Sequence, residues 1–500
     1  MDIARAPQEP LLVMDGVEKS FPGVHALKQA HLDLRRGEVL ALLGENGAGK
    51  STLIKVLAGA HAADSGTIRI DGVRASIASP LDARRAGIAV IYQEFNLVPT
   101  LTARENIFLG RETTAAGFCR RRREHADALA LFDRIGVRVD PESPVRALTI
   151  AQQQVVEIAK ALSQGARIIV MDEPSATLTR QEVEKLFAVI RELKAASIAV
   201  IYISHRLDEV FEIADRATVM RDGETVGTLD VRGLTRDRLI EMMVGRKLEN
   251  EFPKVRASIG PPRLEVEHLA RAGAVRDVSF HIRRGEVLGL TGLVGSGRTE
   301  VARLLFGADR RDGGTIRLDG RVLDIRSPRD AIRHGICLLN EDRKAQGLVL
   351  GLPVRENFSL PNLGRFSRLG LVRRRAERAA FAGRARALRL SVPHDETPAS
   401  SLSGGNQQKL VLAKWLESNS EVILFDEPTR GIDIGAKYEI YLLMNDLAAR
   451  GKSILMISSE LPEVLGMSDR ILVMHEGRLS GEIADVARAT QPQILALAMR

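Results

Sequence analysis

The sequence predicts an α/β protein built from two tandem copies of one domain. The run Arg35–Leu40 recurs unchanged as Arg283–Leu288, 248 residues later, and Gly66–Gly72 recurs at the same offset as Gly314–Gly320. A period of this length indicates duplicated domains, because solenoid repeats are only about 20–50 residues long. Within each copy, short apolar runs alternate with helical patterns, which is typical of α/β folds.

Three β-rich runs in the first copy have the length and composition of buried parallel strands: Val39–Leu43, Ile168–Met171 and Ile198–Ile203. The intervening stretch, residues 105–162, is mostly helical in pattern. Strands and helices that alternate around a helical insert predict an α/β core and an α-helical subdomain in each copy.

The repeat also sets the predicted domain boundaries. We predict domain 1 at residues 9–245, a linker at 246–262 and domain 2 at 263–495, since Asn, Pro and Gly residues interrupt the periodicity in the linker. Further along, Asp172–Pro174 recurs as Asp426–Pro428 at an offset of 254. The second copy therefore carries six additional residues between positions 341 and 402.

The composition excludes several classes of protein. The chain has 500 residues, 45% of them hydrophobic and 27% charged, which suffices for at least two folded cores. The net charge of +8 is too small for this length to indicate a dedicated nucleic-acid binder. Two cysteines, Cys119 and Cys337, are too few for a disulfide framework or a four-cysteine zinc site. The sequence shows no secretory h-region and no run of 18 apolar residues, so we expect a cytoplasmic chain that meets a membrane only through partners.

A phosphate-binding loop follows the first predicted strand. Residues 44–51 have the spacing G-x-x-x-x-G-K-S and precede a predicted helix. Its glycines let backbone N–H groups turn toward phosphates, which the helix N-terminus also favours. Lys50 can reach the β and γ phosphates and Ser51 can hold Mg²⁺, whereas the alternative is a glycine-rich turn without a ligand. The predicted ATP-binding residues here are Gly44, Glu45, Asn46, Gly47, Ala48, Gly49, Lys50, Ser51 and Thr52.

A second feature supports nucleotide chemistry. The apolar run 168–171 is followed directly by two carboxylates, Asp172 and Glu173. One acid at a strand end can simply cap a helix. Two adjacent acids downstream of a phosphate loop instead favour metal binding and activation of water.

Together with three further motifs, these residues resemble the ATP-binding cassette (ABC) ATPases. The motifs are Gln93 within Val90–Glu94, the segment Leu402–Gln407 and the pair Ser204–His205. The Ser-Gly-Gly at 403–405 is the family's signature, and the resemblance covers roughly residues 10–490. It implies two tandem P-loop NTPase domains, each with a RecA-like α/β core, a β-subdomain and an α-helical subdomain, and it implies ATP and Mg²⁺ as ligands.

The resemblance also implies residue roles. Glu173 would be the general base, Gln93 would sense the γ phosphate, His205 would contact it, and Phe21 would stack on adenine. Taken singly, Phe21 also fits a core residue, Gln93 a surface residue and His205 a structural histidine. The resemblance assigns the metal to Ser51, Gln93 and Asp172, catalysis to Glu173, His205 and Gln93, and further ATP contacts to Ser403, Gly404 and Gly405.

The second copy departs from this pattern. Arg298 stands in place of Lys50, and its planar guanidinium is not a compact ammonium. In the same way Glu341 replaces Gln93, Leu269 replaces Phe21, and Ser459 replaces His205, while both acids are kept. The predicted degenerate site comprises Gly292, Gly297, Arg298, Thr299, Glu341, Asp426, Glu427 and Ser459.

The signature is asymmetric in the opposite sense. Leu402–Gly405 is intact, whereas its counterpart Leu148–Ala151 has Ile150 in place of the first glycine. In the ABC ATPases, cassettes pair head to tail, so each nucleotide lies between the phosphate loop of one copy and the signature of the other. The resemblance therefore predicts one competent composite site, with Lys50 facing Ser403–Gly405, and one impaired site.

Among ABC ATPases, the chain is most similar to the ATPase subunits of bacterial monosaccharide importers of the ribose, galactose, xylose and arabinose type. The phrases that carry this resemblance are Lys19–Val24, Gly44–Thr52, Glu341–Lys344 and Ser458–Arg470, the last most like the ribose subunits. It implies a peripheral protein at the cytoplasmic face of the inner membrane. Two permease subunits and an external sugar-binding protein would be its partners, with docking segments at 94–108 and 342–358.

Two alternative functions are a soluble tandem ABC ATPase that acts on the ribosome or nucleic acid, and a regulatory protein without turnover. The runs Arg120–Arg123 and Arg373–Arg375 could support the first, but no aromatic residues for base stacking lie among them. The complete motif set around Lys50 opposes the second. The sequence therefore favours an importer ATPase and gives no reason to expect nucleic acid as a partner.

Overall fold

The computed structural model describes residues 9–22, 24–92, 95–115, 117–175, 178–204, 206–245 and 251–500. It divides into two compact units, Met1–Leu248 and Glu249–Arg500. Gln93, His205 and residues 246–250 of the predicted linker lie outside the described residues. Over the ranges just given, no helix is long and apolar enough to span a bilayer.

The first unit contains twelve strands and eight α-helices within its described residues. In chain order they are β1 Pro10–Phe21, β2 Val24–Arg35, β3 Val39–Leu43, α1 Lys50–Leu57, β4 Ser65–Ile70, β5 Val73–Arg74, α2 Pro80–Arg85, β6 Ile88–Ile91, α3 Ala103–Phe108, β7 Thr114–Ala115, β8 Phe118–Cys119, α4 Arg121–Ile135, α5 Ile150–Ser163, β9 Ile168–Asp172, α6 Arg180–Ala195, β10 Ala199–Ile203, α7 Leu207–Ile213, β11 Arg216–Arg221, β12 Glu224–Asp230 and α8 Arg236–Val244.

A six-stranded sheet of order β12-β11-β3-β10-β9-β6 forms the core of this unit. All neighbours are parallel except β12, which runs antiparallel to β11. Every residue of β3 and β10 is buried, as expected for parallel strands covered on both faces. Because β3, β9 and β10 are parallel neighbours, their carboxyl ends meet at one edge, where ligands of open α/β sheets bind.

Two further layers complete the unit. Strands β2-β1-β4-β5 form a separate antiparallel sheet. Helices α3, α4 and α5 pack on one another as the helical subdomain, around the buried Arg104. Arg104 donates to Glu124 at 3.0 Å and to Glu142 at 2.8 Å, so its charge is compensated inside the subdomain.

The second unit repeats this architecture. Its elements are β13 Pro262–Arg271, β14 Val275–Arg283, β15 Val287–Gly292, α9 Arg298–Phe306, β16 Gly313–Leu318, β17 Arg321–Val322, α10 Pro328–Arg333, β18 Ile336–Leu339, α11 Val354–Ser359, α12 Leu363–Phe366, β19 Ser367–Arg368, β20 Leu371–Val372, α13 Arg374–Ala387, α14 Gly404–Glu417, β21 Val422–Asp426, α15 Ile434–Ala449, β22 Ser453–Ile457, α16 Leu461–Met467, β23 Arg470–His475, β24 Arg478–Ile483 and α17 Gln491–Ala498. The sheet orders are β18-β21-β22-β15-β23-β24 and β14-β13-β16-β17, which match the first unit strand for strand.

The fold class predicted from the repeat is thus confirmed: two tandem α/β domains, each with a β-subdomain and a helical subdomain. The six additional residues of the second copy enter in several places. The offset is 251 between the starts of α3 and α11, 253 between those of β7 and β19, and 254 between those of α5 and α14. The offset is still 248 between the starts of β6 and β18, so three of the additional residues lie between β18 and α11 and the other three lie within the helical subdomain.

Candidate functional site

The phosphate loop of the first unit connects β3 to α1. Gly44, Gly47 and Gly49 have φ values of 151°, 89° and 100°, in the region that favours glycine. A Cβ at Gly49 would lie 2.9 Å from the carbonyl oxygen of Ala26, so a larger residue would not fit there. Lys50 Nζ donates to the carbonyl oxygens of Gly44 at 2.7 Å and Glu45 at 3.0 Å, which holds the loop around the ammonium group.

The two carboxylates lie at the same sheet edge. Asp172 ends β9 opposite Ile203 of β10, and the N–H of Glu173 donates to the Ile203 carbonyl at 2.9 Å. Burial raises the pKa of Asp172, the adjacent Glu173 raises it further, and Lys50 opposes both effects. Glu173 has a φ of 48°, a strained value for a residue with a side chain. Such strain is common at functional sites and needs firm anchors on either side.

Phe21 lies at the end of β1 and is 37% exposed, so it is not a core residue. Its ring meets the ring of His61 edge-on at 5.3 Å between centroids, and Lys19 Nζ lies 5.7 Å from its centroid. An exposed aromatic face of this kind is suited to stacking on a flat, neutral ring. His61 was not predicted as a site residue, because a single histidine after a helix gives no motif.

In the second unit, Arg298 of the phosphate loop binds a backbone carbonyl group and lies near the second carboxylate of the site. Arg298 Nη1 donates to the carbonyl oxygen of Ser458 at 3.0 Å, and Nη2 lies 3.7 Å from Glu427 Oε1. Ser459 Oγ donates to the other Glu427 oxygen at 3.1 Å. Burial lowers the pKa of Arg298 and raises that of Glu427, while their mutual attraction opposes both shifts. Glu427 is thus engaged by two partners at the position where Glu173 lies in the first unit.

The other predicted residues of this second site are also accounted for. Thr299 Oγ1 donates to Asp426 Oδ1 at 3.2 Å, and burial raises the pKa of Asp426 to about 6. Gly292 and Gly297 have φ values of 156° and 96°, so the loop has the same backbone shape as that of the first unit. Glu341 forms an ion pair with Arg430, in the loop after β21. This pairing was not predicted, since no motif connects the two residues.

The intact signature begins α14. Ser403 is the N-cap, and its hydroxyl accepts the N–H of Asn406 at 3.4 Å. A Cβ at Gly404 would lie 2.8 Å from Arg343 Nη2, whereas Gly405 has open space around it. The counterpart Thr149 caps α5 in the same way and is reinforced by Gln152. The φ and ψ angles of the two exposed caps agree, −63° and 159° for Thr149 and −61° and 157° for Ser403, so the two signatures differ in chemistry rather than in local backbone.

Each unit also contains a buried carboxylate network that sequence analysis missed. Glu209 and Glu463 begin the helices α7 and α16 and are 6% and 0% exposed. Glu463 accepts hydrogen bonds from Ser458 and from Thr429. The sequence offers one clue to them: Glu209 occurs four residues after His205, and Glu463 occurs four residues after its counterpart Ser459.

The Glu463 network makes the stability of the second unit depend on pH. Burial raises the pKa of Glu463 from 4.5 to about 7; Glu460 raises it further, while Lys437 and the two hydroxyl groups oppose the shift. The folded state therefore binds more protons than the unfolded state between these values, so this group's contribution to stability falls as the pH rises from 4.5 to 7. The loss is ~3 kcal/mol at most.

The test is calorimetric melting of wild type and Glu463→Gln at pH 5 and pH 8. We expect the Tm of the variant minus that of wild type to increase by several degrees at pH 8, because glutamine cannot ionise. A change in Tm that comes only from altered hydrogen bonding is the same at both pH values, so it cancels when the two differences are compared. A difference that is the same at both would contradict the assigned titration.

A cleft of about 440 Å³ lies beside β6, next to the predicted docking segment 94–108. It is lined by apolar side chains of α2 and β6 and by the polar residues Arg84, Tyr92, Asn96, Glu157, Lys160 and Gln164. Burial raises the pKa of Glu157, and Lys160 Nζ donates to the Asn96 carbonyl at 2.9 Å. The cleft thus combines an apolar wall with a few fixed polar groups.

Comparison with known proteins shows similarity along the whole chain. The ABC transporter family matches residues 27–176 and 275–430. A putative ribose/galactose/methyl galactoside import ATP-binding protein 1 of Burkholderia lata is 51% identical over 99% of this chain and 98% of its own. Ribose import ATP-binding protein RbsA 2 of Streptomyces coelicolor is 50% identical over 99% of this chain and 95% of its own. Among solved structures, a nucleotide-free ATP-binding cassette from an ABC transporter is 25% identical over 47% of this chain and all of its own, with a TM-score of 0.43.

Proposed function

Because this chain belongs to the ABC transporter family of ATP-binding proteins, we propose that it is the ATP-hydrolysing subunit of an importer for a monosaccharide, ribose or a related pentose or hexose. One observation supports this most directly. The first unit brings a complete phosphate loop and two carboxylates to one sheet edge, in a chain similar over its full length to sugar-import ATP-binding proteins.

The first unit would perform the hydrolysis. Backbone N–H groups of residues 44–51 and the Lys50 ammonium would bind the phosphates, and Phe21 would stack on the adenine. Glu173 would accept a proton from the attacking water, since it follows the buried strand end directly. Gln93 and His205 complete this proposed set from positions outside the described residues.

The residues of the first unit fit Mg²⁺. The hydroxyl of Ser51 and the carboxylate of Asp172 are oxygen ligands of the kind that Mg²⁺ prefers, with Gln93 as a third proposed ligand. Burial beside Glu173 raises the pKa of Asp172, and a bound cation would stabilise the charged carboxylate there. The ion would neutralise phosphate charge, while Lys50 and the loop orient the phosphates.

The second unit would retain nucleotide binding at most and hydrolyse slowly. Arg298 lies near one carboxylate oxygen of its Glu427 and Ser459 donates to the other, so a water could reach this carboxylate only by displacing one of these partners. We propose that its intact signature, Ser403–Gly405, serves the nucleotide of the first unit. The altered motifs then fall together in the composite site that contains Arg298 and Glu427, and the other composite site is intact.

We propose two permease subunits and an external sugar-binding protein as partners, with the protein held at the cytoplasmic face of the inner membrane. The cleft beside β6 supports docking of a permease segment on the first unit, since it adjoins residues that follow Gln93. The arginine runs do not favour nucleic acid. Arg121–Arg123 occupy the exposed first turn of α4, and Arg374 and Arg375 that of α13, as solvated helix ends do.

Deletion of the permease should release the protein from membranes. Since the described residues contain no spanning helix, attachment would depend on the permease alone. Immunoblots of membrane and soluble fractions, with and without the permease genes, measure this. Retention in the membrane fraction without the permease would contradict the proposed attachment.

The proposed function itself is tested by reconstitution in liposomes with permease and binding protein. We expect ATP hydrolysis that is stimulated by the cognate sugar and coupled to its uptake. Stimulation by RNA or ribosomes, and not by the permease, would instead support the alternative function.

A further inference from the structure

We propose that Glu209 is a positioning residue of the hydrolytic site, which fixes Glu173 and the chain on both sides of His205. This inference rests on the proposed ATPase function. Glu209 lies on α7 and belongs to none of the motifs found in the sequence.

One oxygen of Glu209 collects three hydroxyl donors from two chain segments. Glu209 Oε2 accepts from Ser175 Oγ at 2.7 Å, Tyr202 Oη at 2.8 Å and Ser204 Oγ at 3.0 Å. Ser175 belongs to the segment that leaves β9, whereas Tyr202 and Ser204 belong to the end of β10 and its continuation. The carboxylate therefore joins the two segments that carry the catalytic residues.

The other oxygen binds a cation. Glu209 Oε1 accepts from Arg206 Nη1 at 3.2 Å, and the Arg206 N–H donates to Ser204 Oγ at 3.0 Å. The two chain neighbours of His205, Ser204 and Arg206, are thus both held by Glu209. A buried carboxylate with this many charge-assisted bonds is a rigid anchor, because every partner would lose its bond if it moved.

The strained backbone of Glu173 shows why such an anchor matters. Its φ of 48° persists only if the chain is held on both sides. On one side the Glu173 N–H is bound by Ile203, and on the other Ser175, two residues later, is bound by Glu209. The direction of the proposed general base is therefore set by this network.

The second unit also has a phenol near its buried glutamate, on a different element. In the second unit the phenol near Glu463 belongs to Tyr441 of α15, whereas in the first unit Tyr202 of β10 donates to Glu209. The counterpart of Tyr202 is Met456, and that of Tyr441 is Phe187. Both copies thus have a phenol near the buried glutamate, although it comes from a different position in each.

The two units differ in the residue that lies next to the buried glutamate at the position of Arg206. At the position of Arg206 the second unit has Glu460, whose carboxylate is bound by Lys437 at 2.6 Å. Among the residues that the structure describes, no cation forms an ion pair with Glu463, and the phosphate-loop cation of this unit lies near Glu427 instead. Glu463 is accordingly the matched control: it is also buried and accepts from Thr429 and Ser458, the counterparts of Ser175 and Ser204, but it lies in the unit with the impaired site.

The experiment measures kcat and KM for ATP of the full chain assembled with its permease in liposomes. Glu209→Gln should lower kcat about tenfold to a hundredfold, because a shift of the base by 1 Å can cost ~100-fold, with KM changed less than about threefold. Glu463→Gln should lower kcat less than about threefold. In a Glu173→Gln background, Glu209→Gln should have almost no further effect, since it acts through that base.

Equal losses in the two glutamine variants would overturn the inference, as would a raised KM at unchanged kcat or additivity with Glu173→Gln. If Glu209→Gln does not fold, Tyr202→Phe and Ser204→Ala each remove one donor and should lower kcat more than Tyr441→Phe and Ser458→Ala do; equal effects would overturn it. A wild-type complex without ATPase activity would overturn the proposed function together with this inference, whereas an active wild type with equal variants overturns this inference alone.

Discussion

Glu173→Gln should reduce ATP hydrolysis and sugar import at least about a hundredfold. Glutamine has the size and polarity of glutamate but cannot accept a proton, and general-base contributions are typically ~10²–10⁴-fold. ATP affinity should change little, because the phosphate loop and its Lys50 bonds are untouched. Steady-state ATPase and uptake assays on the reconstituted transporter measure the effect, and equilibrium nucleotide binding measures the affinity.

The matched control is Glu427→Gln. Glu427 has the same backbone conformation, with a φ of 49°, and its N–H donates to Ile457 at 3.0 Å as that of Glu173 donates to Ile203. Its carboxylate is already engaged by Arg298 and Ser459, so we expect a loss below about tenfold, a barrier change under ~1.4 kcal/mol. If the two variants prove equally damaging, the division into one working and one impaired site is wrong.

Sequence analysis succeeded where spacing and chemistry coincide. The strand Val39–Leu43 is observed as predicted, and the run from Ile168 extends by one residue to include Asp172. Parallel strands have to place their carboxyl ends at one edge, so the phosphate loop and the acid pair, which each follow such a strand, lie at the same edge of the sheet. The duplication was also visible in the sequence, because the second half repeats the turns and strands of the first at a nearly constant offset.

The features that were missed depend on side-chain contacts between segments far apart in the chain. Glu209 bonds to Ser175, 34 residues away, and the pairing of Glu341 with Arg430 joins two loops. A lone buried glutamate has no periodicity, and its partners are ordinary serine, threonine and tyrosine residues. Ile198, predicted as the first residue of a strand, lies outside β10, which begins at Ala199, because strand ends are set by pairing and not by composition.

Ser403→Arg should be nearly as damaging as Glu173→Gln, with a loss of ATPase activity of about a hundredfold. We propose that this serine contacts the nucleotide bound by the first unit, where small donors close to phosphate contribute ~10²–10³-fold. The serine is exposed and starts α14, so an arginine there enters no core and leaves the second unit folded. Its bulk would occupy the space that a phosphate oxygen needs.

The control for this change is Thr149→Arg. Thr149 caps α5 as Ser403 caps α14, so each substitution removes one cap at a cost of ~1 kcal/mol. Thr149 would face the phosphate loop of Arg298, where little hydrolysis remains to be lost, so we expect an effect below about threefold. Thermal melting of both variants shows whether the structural costs match. Equal ATPase losses at matched stability would mean that the signatures do not serve opposite units. Only a head-to-tail arrangement would make the signature of the second unit necessary for hydrolysis by Glu173 in the first.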